Sequence, residues 1–347
     1  MDPNITAGLE EYKIELASRS FTSVIIESLI CAIGIAFTLV GNAIVLWIVY
    51  KNPSLRTIPN QFVISLAISD LLMAIIGAPP CFVALAMGKD PLGPELCQLQ
   101  GFLIVILARV SLQTMALVAL NRYFLIVRPH LYRRIFTSVN TKVMIVCVWV
   151  LTCVEPIPYL SLGYRYFFHP AKAFCFPDSR LHWVVLTGYA IVSIPMPILV
   201  ICYYKVFSKI RRHKMSFKQH QFQRNNTGPS VEDINVTMTL FLTVCALLIC
   251  WIPIAVVDLI DFVRNSLGSM PRLVYLAYLY FGQLSTAINP WIYGVMNKSF
   301  REAYLKLFRI RSFGLTFRTK FKVNNGVPEN TIEQYKDHTM MTSETHI

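Results

Sequence analysis

Residues 96–126 read LCQLQGFLIVILARVSLQTMALVALNRYFLI, an apolar run that ends with Arg122 set between Asn121 and Tyr123. A run of this length crosses a bilayer, which needs about 20 residues of helix. A guanidinium stays charged in a protein and is costly near hydrocarbon, so a chain that keeps one at a membrane boundary uses it. A second motif, Asn289-Pro290-Trp291-Ile292-Tyr293, closes the last apolar stretch.

Working outward, seven apolar stretches can be counted, at 22–50, 58–86, 96–126, 140–162, 182–208, 234–262 and 271–296. Each must be helical, because unpaired backbone groups are not tolerated in lipid. Pro79, Pro80, Pro156, Pro158, Pro195, Pro197, Pro253 and Pro290 fall inside these runs and read as kinks that open cavities between helices. The expected fold is an all-α membrane protein, a seven-transmembrane helix bundle spanning 22–296. Residues 1–21 form a tail before it. Residues 297–311, NKSFREAYLKLFRIR, place Phe300, Tyr304, Leu307 and Phe308 at helical spacing opposite Lys and Arg, as in a short amphipathic eighth helix on the membrane surface. Residues 312–347 are polar and without period, and are expected to be disordered.

Composition agrees. The chain is 55% hydrophobic and 15% charged with mean hydropathy +0.52, against about 45–50% and about 25% in soluble domains. The net charge of +13 suggests nucleic acid until position is considered. Most Lys and Arg fall on one side, including Lys51, Arg56, Arg128, Arg133, Arg134, Lys209, Arg211 and Arg212. That is the positive-inside bias of a plasma-membrane protein, with the N-terminus outside and the C-terminus inside, and no nucleic-acid partner is expected. Asn4-Ile5-Thr6 is then a glycosylation acceptor. Met1 to Ser20 has no basic start before an apolar core, so no cleavable signal peptide is expected. Of nine Cys, only Cys97 and Cys175 lie in polar connectors, on the same side, and one disulfide between them is the economical reading. The tail from 312 has no Cys, which excludes palmitoylation there. It ends Thr345-His346-Ile347, a weak match to peptides that add a strand to PDZ domains.

Polar residues inside the spans carry the functional argument. Asn42, Asp70, Ser111, Ser285, Thr286 and Asn289 together offer oxygen ligands around one carboxylate. Such a set suits sodium; a water-filled hydrogen-bond network is the alternative. Arg109 and Glu155 lie midway along spans three and four, where either charge alone would be costly, so an ion pair is expected, as a clamp or as a ligand contact. Asp258, Asp261, Tyr275, Tyr278 and Tyr280 mark the outer ends of spans six and seven, either a solvated acidic rim or a receiver of a basic or peptide ligand.

The ordered set of motifs resembles the rhodopsin-like (class A) G-protein-coupled receptors. It comprises Gly41-Asn42, Ser65 to Leu71, Cys97, Asn121-Arg122-Tyr123, Trp149, Pro195 with Tyr203, Cys250-Trp251-Ile252-Pro253, and Asn289-Pro290 with Tyr293. The resemblance implies that Arg122 is held at rest near Asp233. On activation span six swings outward about Pro253, reported by Trp251. Tyr203 and Tyr293 then move inward and a groove opens for a G protein. Arrestin and a receptor kinase are implied partners. The chain departs from the family at Asn121, where an acid usually precedes the Arg, so the resting restraint falls more on Asp233.

Ligand classes are tested by single positions. Amine receptors carry an Asp where this chain has Ile104. Opsins carry a retinal-binding Lys where it has Gln283, which cannot form a Schiff base; an apolar ligand bound non-covalently stays open. The nearest subgroup in pattern is the melatonin receptors, which share the Asn-Arg-Tyr triplet. Their ligand-contacting Asn, Gln and His are replaced by Tyr159, Ser179 and Ile191, and their span-seven Ala by Pro290. The resemblance implies inhibitory G-protein coupling and leaves the ligand unidentified. No cofactor is expected beyond the sodium ion. A transporter is the alternative from another class, but no internal repeat is visible, and no enzyme motif is present.

Overall fold

The computed structural model describes residues 3–177, 194–219, 231–264, 266 and 268–307, with backbone alone for 3–7, 213–219 and 231–233. The chain is an all-α bundle of seven membrane-crossing segments. Span one is Phe21–Lys51, span three Gly93–Val127 and span six Val231–Val263. Span two runs Ile58–Leu72, through a π-helical turn at Met73–Gly77, into Ala78–Met87. Span four is Ser138–Val154 continued by Ile157–Ser161, and the described part of span five is Pro195–Gln219. Span seven is Arg272–Ala287 and Asn289–Met296, followed by a helix at Lys298–Leu307. Among the described residues, five helical segments are long and apolar enough to cross a membrane; span seven is divided at Ile288 into shorter pieces.

The prolines act where they fall. Pro79 and Pro80 follow the π turn, Pro156 and Pro158 interrupt span four, and Pro290 sits beside the break in span seven. Pro253 stays within a continuous helix. Each removes a backbone donor and crowds the preceding turn.

Span three is central, packing against spans two, four, five and six. Its inner half joins a core with Phe62, Val63, Leu240 and Tyr293 that Phe300 completes. At Gly41 a Cβ would lie 3.0 Å from the Pro290 ring, so the small residue lets spans one and seven approach. On the outside, Val139, Val143, Val146, Val150 and Val154 of span four are each more than half exposed. Their spacing of three to four residues makes one apolar stripe, which in water would be a liability and in a membrane meets hydrocarbon.

At the end carrying the disulfide, here the outer end, strands β1 (Tyr166–His169) and β2 (Phe174–Pro177) form an antiparallel hairpin. Cys175 of β2 is bonded to Cys97 at the start of span three, with Cα atoms 5.5 Å apart. Two glutamines of span three fix the hairpin further. Gln98 Oε1 accepts from the Tyr166 amide at 2.9 Å and Gln100 Oε1 from the Cys175 amide at 3.1 Å. Gly101 allows the close approach, since a Cβ there would fall 2.5 Å from the Tyr166 ring.

The residues expected as a leading tail are helical over Pro3–Ala17. Leu9, Tyr12 and Leu16 recur at helical spacing and are buried. Tyr12 packs on His169 and Tyr275 and donates from its hydroxyl to the Met270 carbonyl at 2.5 Å. Burial, reinforced by Asp261, Glu11 and Glu15, pushes the Tyr12 phenol up to about 12, so it remains a neutral donor. Asn4 falls in the first turns of this helix, with its side chain outside the described residues.

A buried ionic cluster not foreseen from the sequence secures the same end. Glu27 of span one lies between Arg19 and Arg272 of span seven, with Arg272 Nη1 donating to Glu27 Oε1 at 2.9 Å. The Glu27 and Arg272 side chains are 11% and 7% exposed. Removing the shared partner strands two cations. Glu27→Ala is therefore expected to cost about 3–5 kcal/mol and to lower the melting temperature of purified protein by several degrees. An unchanged melting temperature would show the cluster to be energetically idle.

Candidate functional site

Below the hairpin the helices enclose a cavity of about 630 Å³, within the range of small-molecule sites. Phe174, Phe176 and Pro177 of the hairpin roof it. Ile104, Arg109, Glu155, Tyr159, Trp251, Asp258 and Gln283, the residues singled out in the sequence as ligand-pocket candidates, all line it. Ile191 and Ser179 lie outside the described residues. Most of the lining is apolar, and its charged groups are already partnered. Arg109 Nη1 stands 2.9 Å from Glu155 Oε1, with both side chains largely buried, so the expected pair between spans three and four is present. Asp258 Oδ1 is 3.2 Å from Lys172 Nζ, and Asp258 Oδ2 accepts from the Tyr278 hydroxyl at 3.0 Å. Gln283 turns toward span one, donating to the Cys31 carbonyl at 2.9 Å. Tyr159 donates to the Arg165 carbonyl at 2.9 Å and stacks on Tyr164.

The acidic rim expected at the outer ends of spans six and seven is not a solvated surface. Asp261 is 3% exposed and accepts from the Tyr275 hydroxyl at 2.6 Å and the Ser269 hydroxyl at 2.9 Å. The N-terminal helix and the hairpin cover this region, and neither was visible as a cover in the sequence. Lys172 is the residue that sequence reasoning missed. Nothing in the sequence sets it apart from other loop lysines.

The cavity floor reaches Asp70. Ser111, Ser285, Thr286 and Asn289 line the same floor. Asn289 Nδ2 donates to Asp70 Oδ2 at 3.0 Å, and the hydroxyls of Ser69 and Ser111 are 3.1 Å apart. Asn42 does not line the floor. Its amide donates to the carbonyls of Thr38 and Thr286 at 3.0 and 3.2 Å, tying span one to span seven. The hydroxyls of Ser285 and Thr286 donate to carbonyls of their own helix, at 2.7 and 2.9 Å, and Thr286 Oγ1 also lies 3.4 Å from the Thr38 hydroxyl of span one.

The inner half of the bundle holds the motif residues. Asn121 and Arg122 are fully buried at 0% and 1% exposure. Both polar atoms of the Asn121 side chain lack a hydrogen-bond partner among the described residues. Tyr123 faces Lys205, whose ammonium is 5.8 Å from its ring. Tyr203 is buried against Phe241, with Trp251 on the outer edge of the same cluster. Tyr293 packs on Phe300 at 5.8 Å. Pro253 lies one turn outward of Cys250 in span six. The expected Asp233 partner of Arg122 is in span six, but its side chain lies outside the described residues.

Comparison with known proteins fits this arrangement. The profile of the family described as 7 transmembrane receptor (rhodopsin family) matches residues 41–293. Melatonin receptor type 1A of Ovis aries is 28% identical over 283 residues, covering 79% of this chain and 74% of that protein. Histamine H2 receptor of Canis lupus familiaris is 27% identical, covering 82% and 79%. Tachykinin-like peptides receptor 86C of Drosophila melanogaster is 26% identical, covering 87% and 64%. The crystal structure of squid rhodopsin shares the fold with a TM-score of 0.72 at 22% identity, covering 84% of this chain and 87% of that one. The chain belongs to the rhodopsin family of seven-transmembrane receptors, multi-pass plasma-membrane proteins that signal through G proteins and are not enzymes.

Proposed function

We propose that this G-protein-coupled receptor takes a small ligand with a largely apolar body into the outer cavity and couples to an inhibitory G protein. The observation that carries the ligand reading is a cavity whose apolar lining contains only charges that are already partnered. A free ligand charge finds no unpaired opposite charge there among the described residues above Asp70. The named relatives point to melatonin, histamine and tachykinin-like peptides, three unlike chemistries, so the relatives do not choose the ligand. Inhibitory coupling rests on likeness to the melatonin receptors alone. A second reading, an opsin-related receptor holding an apolar ligand without a covalent bond, is favoured by Gln283 in the cavity wall where a Schiff-base lysine would stand.

In this reading the N-terminus lies outside and the C-terminus inside, so the disulfide and hairpin face the oxidising side. Asn4 is the glycosylation acceptor. Asp70, Ser111, Ser285 and Asn289 hold a sodium ion at the cavity floor, and Thr286 and Asn42 brace it. Ligand binding favours the state in which span six has moved outward about Pro253. It can shift that equilibrium only by its differential affinity for the two states. Arg122 leaves Asp233, and Tyr203 and Tyr293 fill the space between. Arrestin and a receptor kinase act on the same inner face, and Thr345-His346-Ile347 docks a PDZ domain.

Two measurements test this reading. At matched surface level, Arg122→Ala is expected to abolish the receptor-dependent change in cellular cAMP and calcium. Equal second-messenger levels with and without the substitution would sink the receptor mechanism. For the wall pair, Arg109→Ala strands Glu155 and is expected to cost about 3–5 kcal/mol, seen as poor surface expression. The double change Arg109→Ala with Glu155→Ala is expected to recover much of it. If the double is expressed no better than the single, the two charges do not act as a pair.

A further inference from the structure

Lys172 lies between the two hairpin strands and points into the bundle, its side chain 1% exposed. The turn that aims it contains Ala173 at φ 58, and His169 Nδ1 accepts from the Lys172 amide at 3.3 Å. The ammonium ends in a slot of three aromatic rings and one carboxylate. It stands 3.4 Å from the Phe176 ring centroid, 4.4 Å from Tyr278, 5.6 Å from Tyr275 and 3.2 Å from Asp258 Oδ1. Aromatic faces around a carboxylate are the chemistry that recognises an organic ammonium. Burial lowers the Lys172 pKa, opposed by the Asp258 and Asp261 carboxylates, so the slot holds this cation at the expense of its hydration.

A structural anchor would need no path to the ligand cavity, but this slot has one. Asp258, Phe176 and Tyr278 line both the slot and the cavity. Span three offers no acid to an amine at the cavity wall, where Ile104 stands. We propose that the slot is a cation-recognition subsite of the ligand cavity, and that the chain fills it with its own Lys172 until a ligand ammonium takes its place. This deepens the cavity reading above and rests on it. The ligand class is an apolar molecule bearing an alkylammonium head. Its arrival releases the hairpin roof from span six, because Lys172 belongs to the roof and Asp258 to span six.

The test uses the full-length receptor in lipid nanodiscs with n-butylammonium as the probe, and n-butanol and sodium chloride as controls. Lys172→Ala is expected to melt lower than wild type, and millimolar n-butylammonium is expected to restore at least half of the loss. The controls should restore none, and neither should the probe in the double variant Lys172→Ala with Asp258→Asn. Equal shifts in wild type and Lys172→Ala, or a shift that survives Asp258→Asn, would overturn the subsite. If Lys172→Ala fails to reach the cell surface, recovery of surface staining by n-butylammonium in the growth medium supports the proposal and no recovery overturns it. Melting needs no G protein. A probe that binds in a chain without Arg122-dependent signalling would refute the receptor mechanism alone. A signalling chain whose slot ignores the probe would refute this subsite alone.

Discussion

A charge withdrawn from water must find an opposite charge or a set of dipoles, and in this bundle that requirement organises the outer half. Glu27 holds two arginines, Arg109 meets Glu155, and Lys172 meets Asp258. Each pair joins two separate elements of the bundle. Span one is tied to span seven, span three to span four, and the hairpin to span six. The disulfide adds a covalent link from the hairpin to span three. Apolar packing alone is non-directional and would tolerate sliding between helices. Buried ion pairs are worth little net stability against an apolar replacement, but a mismatched register leaves charges unpaired at high cost. They therefore select one arrangement of the helices around the cavity.

The inner half follows a different logic. Its core is built from apolar residues and tyrosines, with Arg122 at its centre and 1% exposed. The neighbouring Asn121 offers the guanidinium no negative charge, and its own amide is unsatisfied among the described residues. An unsatisfied buried amide costs about 1–3 kcal/mol. That cost weighs on this packing. The outer half is tied together by charge, and the inner half is held mainly by apolar and aromatic contacts.

How much of this was legible in the sequence depends on distance along the chain. The spans were legible because a run of apolar residues is a local signal. Outside span five the observed helix ends fall close to the expected ones. Span five runs on to Gln219, past the expected 208, because its basic continuation is helical but not apolar. The Arg109–Glu155 pair was legible because two lone charges in adjacent apolar runs have few other solutions. The Cys97–Cys175 bond was legible because the remaining cysteines sit in apolar surroundings. The Glu27–Arg272 contact was not, since 245 residues separate the partners and each also reads as a residue near a membrane edge. The N-terminal helix was read as a tail because its acidic residues masked the spacing of Leu9, Tyr12 and Leu16, which gains meaning only against Tyr275, the Met270 carbonyl and the hairpin. Asp258 and Asp261 looked like a wet rim for the same reason. Their cover comes from the loop carrying Lys172 and from the chain's first residues.

The π-helical turn at Met73–Gly77 in span two begins three residues beyond Asp70. A π turn accommodates one residue more than the α-helix it interrupts. The Gly77 carbonyl at the end of this turn accepts from Gln100 Nε2 at 2.9 Å, from the same span-three residue that holds Cys175. The outer part of span two is thus rotated by about one residue, roughly 100° of helical turn, relative to a helix continued straight from Asp70. Side chains beyond Met73, Cys81 among them, are aimed by that extra residue. A gapless alignment to a receptor with a regular second span would then pair residues that differ in facing by about a quarter turn at positions outward of Met73. For this chain, which span-two side chains line the cavity is set by a backbone phase as much as by residue identity.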